Sequence, residues 1–232
     1  MSDFNTTTLT QVTDYVETKA TYVALFTTAP TNTTPGTEIA PLAAPAAPVP
    51  TTATTGGTVA AGTYPVVVTY VNGAGETVGS AAGSVTTTGT TSTITVPSPA
   101  ASTGATGWYA YVGQAGAAAS TATRQQAAGS PTAIGTALTL TAPPTSTGAT
   151  APTTNTTAGS PAYARKAITY TDGSAGQTSG TVTFDVPAGV TVRGTGLYDA
   201  ATAGNYVGGK VCADDVFSSQ GTLQVTINIA TA

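Results

Sequence analysis

Histidine is absent from this chain of 232 residues, and charge is scarce: six lysines and arginines stand against ten aspartates and glutamates, 7% of the sequence. Without histidine, the Ser-His-Asp and Cys-His arrangements of nucleophilic catalysis have no base. The single cysteine, Cys212, allows no intrachain disulfide and cannot supply the several His and Cys ligands of a zinc site. The one adjacent basic pair is Arg165-Lys166, and the pI is about 4.4. That excludes the clustered cations that neutralise phosphates, so no nucleic-acid partner is expected. No apolar run approaches the roughly 18 residues of a membrane span. The opening Met1-Ser2-Asp3-Phe4-Asn5 has no basic stretch leading into an apolar one. No secretory signal is therefore expected, and folding in a reducing cytoplasm is.

What fills the space is small and neutral. Fifty-four residues are threonine and 27 are glycine, while hydrophobic residues make up 40%. Disordered chains combine low hydrophobicity with high net charge; here mean hydropathy is +0.13 and net charge is -4. Much of the hydrophobicity is alanine, so thin β-rich cores of valine, leucine, isoleucine and tyrosine are expected. Asn-Thr-Thr occurs at Asn5, Asn32 and Asn155, matching a glycosylation acceptor, as chance provides in a threonine-rich chain.

The charges divide the chain. Between Pro41 and Ser160 only Glu76 and Arg124 are charged; the other fourteen lie outside. This predicts one domain inserted into another: a discontinuous outer domain of residues 1–40 plus 161–232, and an inserted domain of residues 51–142. The Pro/Ala-rich segment 41–50 and the Thr/Pro/Gly-rich segment 143–160 read as extended linkers. In the insert, Gly62–Val71 reads as a strand, Asn72-Gly73-Ala74-Gly75 as a turn, and Glu76-Thr77-Val78 as the start of a return strand. Further strands are expected at residues 83–87, 91–96, 107–112 and 136–141. Six or so short strands over about 100 residues suit an immunoglobulin-like or fibronectin-III-like sandwich, with Trp108 and Tyr109 packed in its core.

Outside the insert, Leu9, Val12, Tyr15 and Val16 recur at helical spacing, with Thr8 or Asn5 as the cap. Strands are expected at residues 21–26, 167–171, 180–186, 190–198 and 222–229. Two of these alternate strictly and can bury one face. The fold class expected is thus mostly β: two nested β-sandwiches with one short N-terminal helix.

Few residues offer chemistry. Asp214 and Asp215 are adjacent, and on a strand adjacent side chains point to opposite faces, a poor geometry for an acid/base pair. Asp172, Asp185 and Asp199 are scattered and read as turn-forming or solvated, with a weak calcium loop as the alternative. Gly204 and Gly208-Gly209 fit no phosphate loop. No catalytic residue, metal ligand or cofactor is expected. Glu38 and Arg165 flank the insertion and are expected to meet as an ion pair, contributing at most ~1 kcal/mol if exposed.

Several outer segments carry a resemblance. They are residues 22–30, Gly36-Thr37-Glu38, Tyr163-Ala164-Arg165-Lys166-Ala167-Ile168-Thr169, residues 181–184, residues 189–192 and residues 196–204. In order and spacing this series resembles a family of small structural proteins in tailed bacteriophages of actinobacteria, described as tail-fibre, minor tail or head-decoration proteins. In that family the Gly-Thr-Glu and Tyr-Ala-Arg segments lie a few residues apart; here the insert separates them, and it resembles Ig-like modules of phage virions. Lys210-Val211-Cys212-Ala213-Asp214-Asp215 departs from the family pattern. The resemblance implies a non-enzymatic virion protein, assembled in the host cytoplasm. The leading expectation is capsid decoration, with a minor tail or tail-fibre role as the alternative. The implied partners are the major capsid protein or tail proteins, further copies of itself, and weakly bound host-surface carbohydrate. Two other classes compete. A bacterial adhesin would need a secretion signal or sorting motif, and a glycan-active enzyme would need paired carboxylates in a cleft.

Overall fold

The computed structural model describes residues 6–174 and 176–230, and the fold is mostly β with one short helix. In chain order the elements are α1 (Thr6–Lys19), β1 (Tyr22–Phe26), β2 (Thr51–Ala53), β3 (Gly62–Val71), β4 (Gly83–Thr87), β5 (Thr93–Val96), β6 (Gly107–Val112), β7 (Thr123–Arg124), β8 (Leu138–Leu140), β9 (Lys166–Ala167), β10 (Thr171–Asp172), β11 (Gln177–Val186), β12 (Val190–Tyr198), β13 (Tyr206–Phe217) and β14 (Gly221–Ala230). The chain divides into two compact units, Met1–Ala40 with Ala158–Ala232, and Pro41–Thr157.

In the first unit, one sheet has the order β13-β12-β1-β9 and the other β10-β11-β14. All pairings are antiparallel. The core lies between them: Val23 and Leu25 of β1 and Val192 of β12 meet Val182, Phe184 and Val186 of β11. β1 is buried on both faces because Ala24 and Phe26 point the other way, into an aromatic cluster with Tyr198 and Tyr206. Gly196 is required there, since a Cβ would run into the Phe26 ring.

The helix forms where expected, but a different face packs. Thr13 and Ala20 are buried and Val16 is half-buried, whereas Val12 and Tyr15 are exposed. Thr13 donates to the Thr10 carbonyl at 2.8 Å, which satisfies its hydroxyl and lets its methyl face inward. Thr8 lies inside the helix rather than capping it, and Asn5 is outside the described residues. The expected strand at residues 167–171 splits into β9 and β10, one in each sheet.

In the second unit, a three-stranded sheet β2-β5-β8 faces a four-stranded sheet β4-β3-β6-β7. Val66 and Val68 of β3 and Trp108 and Val112 of β6 pack against Ile94 and Val96 of β5. Trp108 is fully buried and its indole N–H donates to the carbonyls of Ala133 and Thr136, both at 3.2 Å. The turn after β3 closes through Asn72 N–H to Gly75 O. Its return does not form the strand expected at 76–78 but pairs irregularly with β3, through a bridge from Val71 to Glu76 and the bonds Thr77 N–H to Tyr70 O and Ser80 N–H to Val68 O.

The expected linker 41–50 and residues 143–157 of the expected linker 143–160 are built into this unit. Leu42, Pro45, Pro48 and Pro50 are buried, close to the three-residue period of a polyproline II helix laying one edge on a surface. The Leu42 N–H donates to Thr157 Oγ1 at 2.8 Å, and its carbonyl accepts from Asn155 Nδ2 at 2.7 Å. Segment 143–160 likewise packs in part: Gln114 Nε2 donates to Pro144 O, and Arg124 N–H to Ala149 O. Proline removes donors but leaves carbonyls, and Asn and Thr side chains satisfy the backbone that remains.

Candidate functional site

The Glu38 and Arg165 side chains do come together, in the first unit. Glu38 follows β1 through an isolated bridge to Phe26, and Arg165 immediately precedes β9; both lie along the edge of β1 that β12 leaves free. Arg165 Nη2 lies 2.7 Å from Glu38 Oε2, and Arg165 Nε lies 3.0 and 3.1 Å from the two carboxylate oxygens. Its remaining nitrogen, Nη1, donates to the carbonyls of Ala200 at 3.1 Å and Ala203 at 2.5 Å. The guanidinium carbon sits 3.5 Å from the Tyr198 ring centre. The Tyr163 hydroxyl donates to Glu38 Oε1 at 3.2 Å and accepts from the Leu25 N–H at 2.9 Å.

This site is electrostatically closed. Side-chain exposure is 10% for Arg165 and 25% for Glu38, so the pair is not the exposed bridge considered above. Burial pushes the Tyr163 hydroxyl far above its usual range; Leu25 opposes the shift and Glu38 adds to it. The bond to Glu38 holds Arg165 above its ordinary value. Neither group has a proton to exchange near neutrality. The cluster therefore ties three segments together: the strand-flanking residue Glu38, the Tyr163–Arg165 run and the loop after β12. In that loop Ala203 has φ 51°, in the left-handed region, and its carbonyl is held by Arg165.

The only two charges of the second unit, Glu76 and Arg124, line one open recess of about 540 Å³ with Tyr109, Asn72 and Thr156. Glu76 Oε1 accepts from Thr69 Oγ1 and from the Tyr111 hydroxyl, both at 2.5 Å. Burial, then the bond to Glu76, pushes the Tyr111 hydroxyl well above its ordinary value. The Arg124 guanidinium covers the Tyr109 ring at 4.7 Å. Tyr109 is thus buried, as core packing required, and presents no bare stacking face.

The aspartates take separate roles. Asp185 pairs with Lys166 at 3.4 Å and Asp214 with Arg193 at 3.2 Å. Asp199 organises its loop through the Asn205 N–H and Nδ2, both at 2.7 Å, and these bonds lower its pKa. Asp172 joins Asp14 and Glu17, with one oxygen of each within 4.8 Å of the others. Glu17 Oε1 is buried there without a hydrogen-bond partner. One oxygen from each makes three ligands, and further carboxylate, carbonyl or water oxygens would have to complete the six to eight that calcium takes.

Sequence reasoning missed a groove in the first unit. β13 and β14 end their respective sheets, and a groove runs between them. β13 carries no regular alternation, so nothing in its sequence marked it as a strand. The Asp14 and Glu17 spacing (i, i+3 on a helix) gave a signal for one face, but not for Asp172. Comparison with protein-family models, with curated proteins and with solved structures finds no match for the chain.

Proposed function

We propose that the chain is a non-enzymatic structural protein of a tailed-bacteriophage virion, a capsid decoration protein that binds the capsid surface through its first unit and presents the second. The observation that carries this reading is one complete sandwich, Pro41–Thr157, set within the sequence of another, with just two charges in it. Both of those charges are engaged internally, Glu76 by two hydroxyls and Arg124 by the Tyr109 ring. The presented surface is then neutral and rich in hydroxyls, suited to many weak contacts that add up through repetition on a particle. Weak contact with host-surface carbohydrate belongs to the same reading.

The test is co-sedimentation of the purified protein with empty capsids and, separately, with isolated tails, followed by immunogold labelling of intact particles. Saturable binding to capsids with label on the heads supports decoration. Label on the tail transfers the protein to the minor tail class. Absence of label from every virion component overturns the reading.

A further inference from the structure

We propose that two copies of this chain associate edge to edge through β13 and β14, about one two-fold axis, so that the β10-β11-β14 sheet continues across the interface and β13 faces its counterpart through charge pairs. This goes beyond the virion reading and does not rest on it. Both strands end their sheets, and both therefore leave one row of backbone N–H and C=O groups unpaired. β14 is ten residues long, without charge, proline or register shift against β11. An edge strand of that kind lacks the usual devices that prevent pairing. Its inward row, Leu223, Val225, Ile227 and Ile229, stays only half-buried because nothing closes the groove beside it. Two openings of about 550 and 380 Å³ form this groove, continuous through Thr195, Lys210 and Thr226. On β13, Val211 is 53% and Val216 69% exposed.

The charges on β13 specify a second copy as the occupant. Lys210 and Asp215 have no ion pair among the described residues. Lys210 precedes Cys212 and the Asp214-Asp215 pair follows it, so antiparallel approach about an axis near Cys212 brings each lysine toward the other copy's aspartates. Residues 212–214 bulge from the pairing with β12, where Val211 opposes Gly194 and Asp215 opposes Val192. The bulge leaves regular backbone pairing to β14 and charge pairing to β13. One axis serves both edges, because the mid-strand residues Cys212 and Val225 line the same part of the groove. Edges about 35 Å long on a two-layer slab about 20 Å across would bury about 700 Å² per copy, near the size of a standard stable interface.

The experiment measures the mass of the full chain by sedimentation equilibrium, alone and with diamide. A dimer is expected. Diamide should convert it to a covalent dimer through Cys212, taking up the two electrons and two protons released by the two thiols; Cys212→Ser should dimerise without the cross-link. Lys210→Glu and Asp215→Lys should each weaken dimerisation about tenfold, since two symmetry-related pairs become repulsive, and the double variant should restore it. Circular dichroism of each variant separates weakened association from misfolding. A monomer at all concentrations overturns the proposal. So does a dimer indifferent to both charge reversals or without a Cys212 cross-link.

Discussion

Replacing Arg165 by alanine removes the fork that holds Glu38 and frees two loop carbonyls at once. Glu38 would keep only the Tyr163 hydroxyl, and the carbonyls of Ala200 and Ala203 would lose their donor. Breaking a buried ion pair by deleting one partner costs about 3–5 kcal/mol. Glu38 retains a quarter of its side-chain exposure, which places this pair at the lower end. Loss of the contact over Tyr198 adds about 0.5–1 kcal/mol, giving about 3–4 kcal/mol in all. Arg165→Lys keeps the charge but loses the planar fork, and should cost roughly half as much. The assay is urea unfolding followed by far-ultraviolet circular dichroism, with amide exchange at Leu25 as the local readout. That amide donates to Tyr163 and should exchange faster in the variant. A double-mutant cycle with Glu38→Gln isolates the pair. A coupling below about 0.5 kcal/mol, the value of an exposed bridge, would refute the reasoning.

Gly196→Ala should lower stability by about 1–3 kcal/mol, because the added methyl meets the Phe26 ring and lies 3.0 Å from Tyr206 in a packed cluster; thermal unfolding measures it. Glu76→Leu should cost about 2–4 kcal/mol by leaving the Thr69 and Tyr111 hydroxyls without an acceptor, whereas Glu76→Gln retains one and should cost less than half as much. Trp108, the single tryptophan, sits in the same unit and reports the change by fluorescence. Alkaline pH should destabilise the fold from about pH 10 upward. Tyr163 has its folded pKa raised above the unfolded value of 10.0, so its contribution is complete below pH 10 and is lost as pH rises toward the folded value. That one residue accounts for about 1.4 kcal/mol per pH unit. Tyr170, pushed up to about 12 by burial and then by Glu17, and Tyr111 add less, because water screens them partly. Urea midpoints constant between pH 9 and 11 would contradict this, a window set by the tyrosine reference value.

The parts of the fold legible in the sequence are those where burial imposes a period. β3 and β12 have the expected bounds, because valines and tyrosines crowd them and glycines or turn residues stop them. β13 was invisible for the opposite reason. Residues 210–216 of β13 are all exposed, and residues 212–214 bulge from the pairing with β12, so no alternation of polarity is imposed on Lys210-Val211-Cys212-Ala213-Asp214-Asp215, whereas β14 across the groove keeps an inward row and its period. The prolines of segment 41–50 misled in another way. Composition gives an extended conformation, but only the partners Thr157 and Asn155, more than 110 residues away, decide whether it floats or packs. The Arg165–Glu38 contact was legible as a pair, while its burial depended on Tyr198 and the loop after it. The helix showed its period and hid its packed face, because a buried threonine reads as polar.

The scarcity of charge in the second unit has a structural counterpart. Buried backbone groups must be satisfied, and in this unit neutral side chains serve as partners. Asn72 accepts from the Ala74 and Gly75 amides and donates to the Thr157 carbonyl. Thr156 Oγ1 accepts from the Glu76 amide, and the side-chain Oε1 of Gln125 accepts from the Thr145 amide. The side-chain Oε1 of Gln126 accepts from the Ala110 amide in the middle of β6. Amides and hydroxyls fill these roles unchanged at any ordinary pH, whereas carboxyl and amino groups change their donor and acceptor pattern as they titrate. A sandwich built this way gives up long-range steering and retains its internal bonds across changes in salt and acidity. The first unit is organised differently, since its three ion pairs among the described residues fix a loop and two strand edges. Sensitivity to salt and pH should therefore concentrate in the unit that holds Glu38 and Arg165, while the unit with Glu76 and Arg124 remains the more indifferent of the two.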